Sequence, residues 1–146
     1  MGRFLLVLCT FLAVACQPIG PLPGSALRGV VIAPPPDWGQ LGTAQVVQLE
    51  TRPDAPYSVN IWGVADGAKY YVAAGGGGKT KWTAYIAANS NVRLRIAKSI
   101  FELRATRVQD AAELKRIGGL YEAKYKLSAD RAAEAKNAWV YRLDPR

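Results

Sequence analysis

Asp66-Gly67 lies between two β-rich runs, residues 57–65 and 68–74, and this pair limits the fold more tightly than any other feature. A type I′ turn needs positive φ at both central residues, and Asp-Gly between alternating runs is a strong hairpin signal. The expected register sets Ile61 opposite Val72 and Trp62 opposite Tyr71. One face then carries Val59, Ile61, Tyr70 and Val72, and the other Asn60, Trp62, Tyr71 and Ala73. Both faces are largely apolar, so the hairpin is expected to be covered twice, by core and by a partner or ligand.

The remaining periodicities extend this start. Residues 46–51 read as a strand ending at Arg52-Pro53. Residues 91–108 read as a second hairpin turning at Lys98-Ser99, with Ile96 against Phe101, Leu94 against Leu103 and Arg95 against Glu102. That register also pairs Arg93 with Arg104, a like-charge contact an anion would relieve. Residues 79–89 have helical spacing. Asp110-x-x-Glu113 opens an amphipathic helix marked by Leu114, Ile117, Tyr121 and Tyr125, with Gly118-Gly119 as a loosening point. Ser128 caps a short helix over residues 129–138, and residues 139–143 read as a closing strand. The order argues for a mainly β, α+β fold: an antiparallel barrel with one helix between hairpins and helices near the C-terminus.

Half of the 146 residues are hydrophobic, enough for one domain with a real core. The absence of His excludes Ser-His-Asp and Cys-His chemistry and His-ligated metal or haem. Both Cys lie in the first sixteen residues, which excludes a Cys metal site or disulfide framework in the domain. The formal charge is +8. Residues 69–107 hold eight basic side chains against Glu102 alone. That excess suits an anionic ligand, nucleic acid or an anionic lipid surface, or simply a solvated face. No nucleic-acid-binding motif accompanies it.

Met1-Gly2-Arg3 is followed by the apolar run FLLVLCTFLAVA and then Cys16. Twelve residues are too few to span a bilayer, but they suit a secretory signal. Small residues before Cys16 resemble a bacterial lipoprotein signal, with Leu12 one step further from the Cys than usual. Cys9 follows bulky Leu8 and fits less well. The other reading is an ordinary signal peptide with a chance Cys. The lipoprotein resemblance implies cleavage before Cys16, a diacylglyceryl group on its thiol, and an extracytoplasmic or periplasmic location, with Gln17 favouring the outer membrane. The expected organisation is signal 1–15, a Pro/Gly-rich tether and arm 16–43, and a barrel domain 44–146. Residues 27–33 within the arm suit a short edge strand.

Gly75-Gly76-Gly77-Gly78-Lys79-Thr80-Lys81-Trp82 follows a strand and opens a helix. Glycines admit close backbone approach, a helix N-terminus offers unpaired N–H groups, and two Lys add charge, so the loop reads as a phosphate cradle. It also reads as a plain helix-entry loop with surface Lys. The spacing nearly matches the nucleotide P-loop, with Ala73 replacing the first Gly. Antiparallel flanking hairpins and the lack of a Walker-B-like strand argue against an NTPase.

The stretch YYVAAGGGGKTKWTAYIAANSNVRLRI, the hairpin IFELRATRV and the closing AWVYRLDPR resemble split β-barrel proteins of the pyridoxamine-phosphate-oxidase-like kind, which include FMN- and deazaflavin-dependent oxidoreductases. The resemblance covers residues 45–146. It implies an antiparallel split barrel, a homodimer, and FMN or a deazaflavin as cofactor. By position, Gly77, Gly78, Lys79, Thr80, Lys81 and Trp82 correspond to the phosphate-contacting loop and helix start. Asn60 and Trp62 correspond to the strand lining the isoalloxazine edge or the dimer interface. Asn89-Ser90-Asn91 lacks the family's usual Pro, and export is unusual for it. The alternative is a non-catalytic envelope module using the same barrel for an anionic ligand or a protein.

Overall fold

The computed structural model describes residues 16–146, so the signal reading over 1–15, Cys9 included, lies outside the described residues. Eight strands and three helices follow in the order β1 (Val30–Val31), β2 (Val47–Thr51), β3 (Tyr57–Ile61), β4 (Gly63–Asp66), β5 (Lys69–Ala74), α1 (Lys81–Ala88), β6 (Asn91–Ile96), β7 (Ser99–Arg107), α2 (Ala111–Tyr125), α3 (Ala129–Ala135) and β8 (Trp139–Pro145). The antiparallel path runs β3-β2-β6-β7-β8-β5-β4, with β1 added in parallel to β7. β3 and β4 are separated only by Trp62. The two ends of the path are therefore halves of one bent strand, and the sheet curls back on itself as a split barrel.

Both hairpins form, each two residues out of the expected register. Gly63, not Ile61, faces Val72, and the turn is Gly67-Ala68. Arg93 faces Glu102 rather than Arg104, Arg95 faces Ile100 rather than Glu102, and the turn is Ala97-Lys98. A slip of two preserves which face each side chain occupies, so hydrophobic alternation cannot distinguish the registers. Local chemistry decides. Gly67 (φ 58°) and Ala97 (φ 54°) each take the first central position of a two-residue turn. A Cβ at Gly63 would overlap the Tyr70 ring, so glycine belongs there. The second shift replaces a like-charge pair with an opposite one, and Arg93 also donates to Glu50 on β2 at 3.0 Å.

The expected faces survive this slip. Ile61, Tyr70 and Val72 point into the barrel with Trp38, Leu49, Leu94 and Phe101, where α1 adds Trp82 and Ile86. Tyr71 points outward into a second cluster with Val64, Ile117, Tyr121 and Val140. The second cover of the β4–β5 hairpin is thus the chain's own α2. This helix runs unbroken through Gly118-Gly119 and is capped by the Asp110 carboxylate accepting Glu113 N–H.

Residues 16–33 lie along the barrel as a strap. Gly24 pairs with Ser58 of β3, Leu27 N–H donates to Glu50 of β2, Arg95 of β6 donates to Gln17 and to the Arg28 carbonyl, and β1 joins β7. Trp38 is buried inside the barrel between Tyr70 and Phe101. No helix among the described residues is long and apolar enough to cross a membrane.

Candidate functional site

The outer face of the barrel and the helices enclose a groove of about 1490 Å³. Asn60 and Trp62 stand on one wall, Ala73 and Val140 on the floor, α2 and α3 on the other wall, and Gly75-Gly76 at the loop end. Gly118 and Gly119 line it, and a Cβ at either would meet nothing within 4 Å, so their missing side chains widen the groove.

Trp62 is 39% exposed. Its indole stacks on Tyr125 with centroids 4.3 Å apart and planes 8° from parallel. Tyr125 is held by accepting Gly63 N–H at 3.0 Å, and Tyr121 donates to the Trp62 carbonyl at 3.2 Å. Lys124 on the same helix donates to the carbonyls of Gly42, Ala44 and Gly63 at 2.6–2.7 Å, fastening the end of α2 to the bent strand and to the segment before β2. Burial lowers the Lys124 pKa. These contacts make a flat aromatic surface, rigidly backed on one side.

Of the residues picked from sequence, Asn60 and Trp62 reach this groove together with the first half of the glycine loop. The Asn60 amide nitrogen is committed to the strap, donating to Gly20 O at 3.0 Å. Gly77, Gly78, Lys79, Thr80, Lys81 and Trp82 lie outside the groove lining. Gly78 sits beneath the Trp139 ring. Thr80 caps α1 in a reciprocal box with Thr83. Trp82 is buried against Tyr141, with ring centroids 5.6 Å apart. Lys79 and Lys81 are exposed and have no acidic partner among the described residues. The basic excess of residues 69–107 is dispersed: Arg93 serves Glu50, Arg95 serves the strap, and Arg107 lies 3.3 Å over Trp139.

Lys115, Arg131 and Lys136 line the groove, accompanied by Glu122 and Glu134. The sequence reading did not single out any of these. Tyr125 was marked only as a core position of α2. Its stack on Trp62 follows from the packing angle of α2, which has no local signature. No cluster of metal-ligating side chains occurs among the described residues.

Behind the groove, the Tyr71 hydroxyl donates to Glu113 at 2.7 Å, and Arg142 stands 3.7 Å from the same carboxylate. Burial first, and the Glu113 contact second, push the Tyr71 phenol up to about 12. Its folded pKa lies above the unfolded value of about 10, so its contribution is complete below pH 10 and lost as pH rises through about 12. Stability measured by urea unfolding is expected to fall across that window, and Tyr71→Phe to fall less steeply. Equal slopes for the two proteins count against this assignment.

The fold and groove define a split β-barrel protein. The chain belongs to the family described as "Uncharacterized protein conserved in bacteria (DUF2255)", whose model matches residues 39–140. No curated protein matches it by sequence. Among solved structures it is similar to a putative pyridoxamine 5'-phosphate oxidase from Listeria innocua, with TM-score 0.57, 19% identity, and 74% of this chain and 89% of that chain covered. A Mesorhizobium loti FAD-binding protein gives TM-score 0.54 at 15% identity, covering 73% and 84%. An F420-H2 dependent reductase gives 0.57 at 14%, covering 82% and 100%. At such identities the likeness carries the fold, which agrees with the expected architecture.

Proposed function

We propose that this protein binds a flavin, FMN or a deazaflavin, in the groove beside Trp62, and works as an oxidoreductase anchored through a lipid on Cys16. The carrying observation is the exposed Trp62 indole, backed by Tyr125 at 4.3 Å and facing a groove with cations around it. A tricyclic ring needs a flat apolar surface, and its phosphate needs cations and open backbone; both kinds of group are present. The similarity in fold to a FAD-binding protein and to an F420-H2 dependent reductase adds support.

In this reading Trp62 orients the ring, and Lys115, Arg131 and Lys136 draw the anionic tail. Gly75-Gly76 admits it closely, since a Cβ at either glycine would meet nothing within 4 Å. Lys79, Thr80 and Lys81, at the start of α1, are the other candidate clamp. When bound, the flavin supplies the hydride chemistry, while the groove walls limit water around it. A homodimer pairing near the exposed Trp62 edge completes the reading.

The test is fluorescence titration with FMN and with a deazaflavin. Trp62→Ala is expected to weaken binding about tenfold, and Lys115→Ala with Lys136→Ala by a similar factor, roughly 1.4 kcal/mol each. An effect confined to Lys79→Ala with Lys81→Ala moves the phosphate to α1. No binding at tens of micromolar, about −6 kcal/mol, overturns the cofactor reading. That result leaves the non-catalytic envelope module, which the lack of imidazole acid/base groups favours.

A further inference from the structure

Among the described residues seven large apolar side chains are exposed, and five of them lie in the strap: Ile19 (74%), Leu22 (66%), Val30 (64%), Val31 (53%) and Ile32. The strap is not a loose segment carrying stray side chains. Ile19 and Leu22 exchange backbone hydrogen bonds at 3.1 and 2.9 Å, forming a tight prong around Gly20. Asn60 and Gln48 hold the prong from the barrel. Further along, Glu50 holds Leu27, and Arg95 holds Gln17 and Arg28. The strap crosses β3, β2, β6 and β7, the half of the barrel that α2 does not cover. It also precedes residue 39, where the family match begins, so the shared domain does not account for it.

We infer that the outer surface of this strap is a membrane footing, which seats the barrel on the lipid bilayer. The inference rests on the reading of Cys16 as the lipid-bearing residue. Cys16 is exposed, and its carbonyl accepts Ser25 N–H at 2.7 Å, so the attachment point is fixed to the strap. Only Gln17 and Pro18 separate it from Ile19, a reach of about 11 Å at most over three residue steps. A lipid on Cys16 therefore holds the prong at the bilayer interface. Apolar side chains there add buried area, and one acyl-type signal gains from a second. Exposed Arg28, between the prong and β1, supplies charge for anionic headgroups. Such a footing sets the orientation of the barrel, where a free tether would leave it to rotate.

The test uses full chain processed in bacterial membranes, purified and reconstituted into phosphatidylethanolamine/phosphatidylglycerol vesicles. Leu22→Cys, Val31→Cys and, on α3, Ala133→Cys each carry an environment-sensitive thiol label. In a processed, lipidated chain the added Cys is the only reactive thiol. Lipids brominated in their acyl chains are expected to quench labels 22 and 31 about twofold or more relative to label 133, as interfacial insertion requires. Chain that floats with vesicles while all three labels stay unquenched overturns the footing and leaves the anchor standing. Blue-shifted but unquenched labels assign the strap to a second copy and also overturn it. Chain that does not float shows that the lipid reading has failed, and the footing with it.

Discussion

Trp38→Ala is expected to lower the unfolding free energy by about 3–5 kcal/mol, the range for emptying a buried aromatic site. Trp38 is 1% exposed and fills the barrel between Tyr70, at 5.1 Å, and Phe101, at 4.9 Å. Three large rings of the inner cluster meet there, so the void cannot close without moving two of them. The Tyr70 hydroxyl has no hydrogen-bond partner among the described residues, and burial raises its pKa strongly. Removing the indole leaves that ring still less supported. Stability of single domains is about 5–15 kcal/mol, so the variant sits near the limit of folding. Urea unfolding of the two proteins measures the loss; a change below about 1 kcal/mol would contradict the packing described. A chain starting at residue 44 removes the same ring and is expected to show no cooperative melt.

Gly78→Ala carries the second large effect, about 2–5 kcal/mol. Its φ of +71° costs an L-residue about 1–2 kcal/mol. A Cβ there would also overlap the Trp139 indole, and overpacking costs a further 1–3 kcal/mol or so. Moving the indole also disturbs its cation–π contact with the Arg107 guanidinium, 3.3 Å from the centroid. Displacing Gly78 also strains α1, since the Thr83 hydroxyl donates to the Gly78 carbonyl. Gly75→Ala is the matched control: φ is −67° and a Cβ would meet nothing within 4 Å. Thermal melts of both variants are expected to place Gly78→Ala far below and Gly75→Ala close to the parent. Equal melts would show that the glycine run is loose throughout.

Two halves of one motif thus do different work. Gly75 and Gly76 border the groove, whereas Gly78 is a packing residue beneath Trp139. The motif advertised open backbone next to charge, and that holds for its beginning. The cap at Thr80 and the buried Trp82 begin a helix that plugs the barrel, which a run of letters does not separate from a ligand clamp.

The outer face of the first hairpin shows the same division. Alternation along residues 57–74 was sufficient to put Trp62 and Tyr71 on one face and Ile61 and Tyr70 on the other, because side-chain direction follows strand period alone. The tertiary structure decided which face is the inner one. Alternation was insufficient for register, because a slip of two leaves every face unchanged. The turn glycine and the close approach of Gly63 to Tyr70 settled that. Strap and core were also inseparable by composition. The Pro-rich stretch reads as tether, yet it carries Trp38 into the barrel and Leu27 onto Glu50.

The sequence by itself determined the element order, which side chains share a face in each hairpin, the helix caps at Asp110 and Ser128, and the chemistries that a chain without His excludes. These depend on interactions among residues close in the chain or on composition. Only the tertiary structure decided where the groove lies, that Tyr125 backs Trp62, and that Lys115, Arg131 and Lys136 stand around it. The reason is physical: Trp62 and Tyr125 are 63 positions apart, and α2 brings them into register through Ile117 and Tyr121 in a cluster that no local pattern encodes.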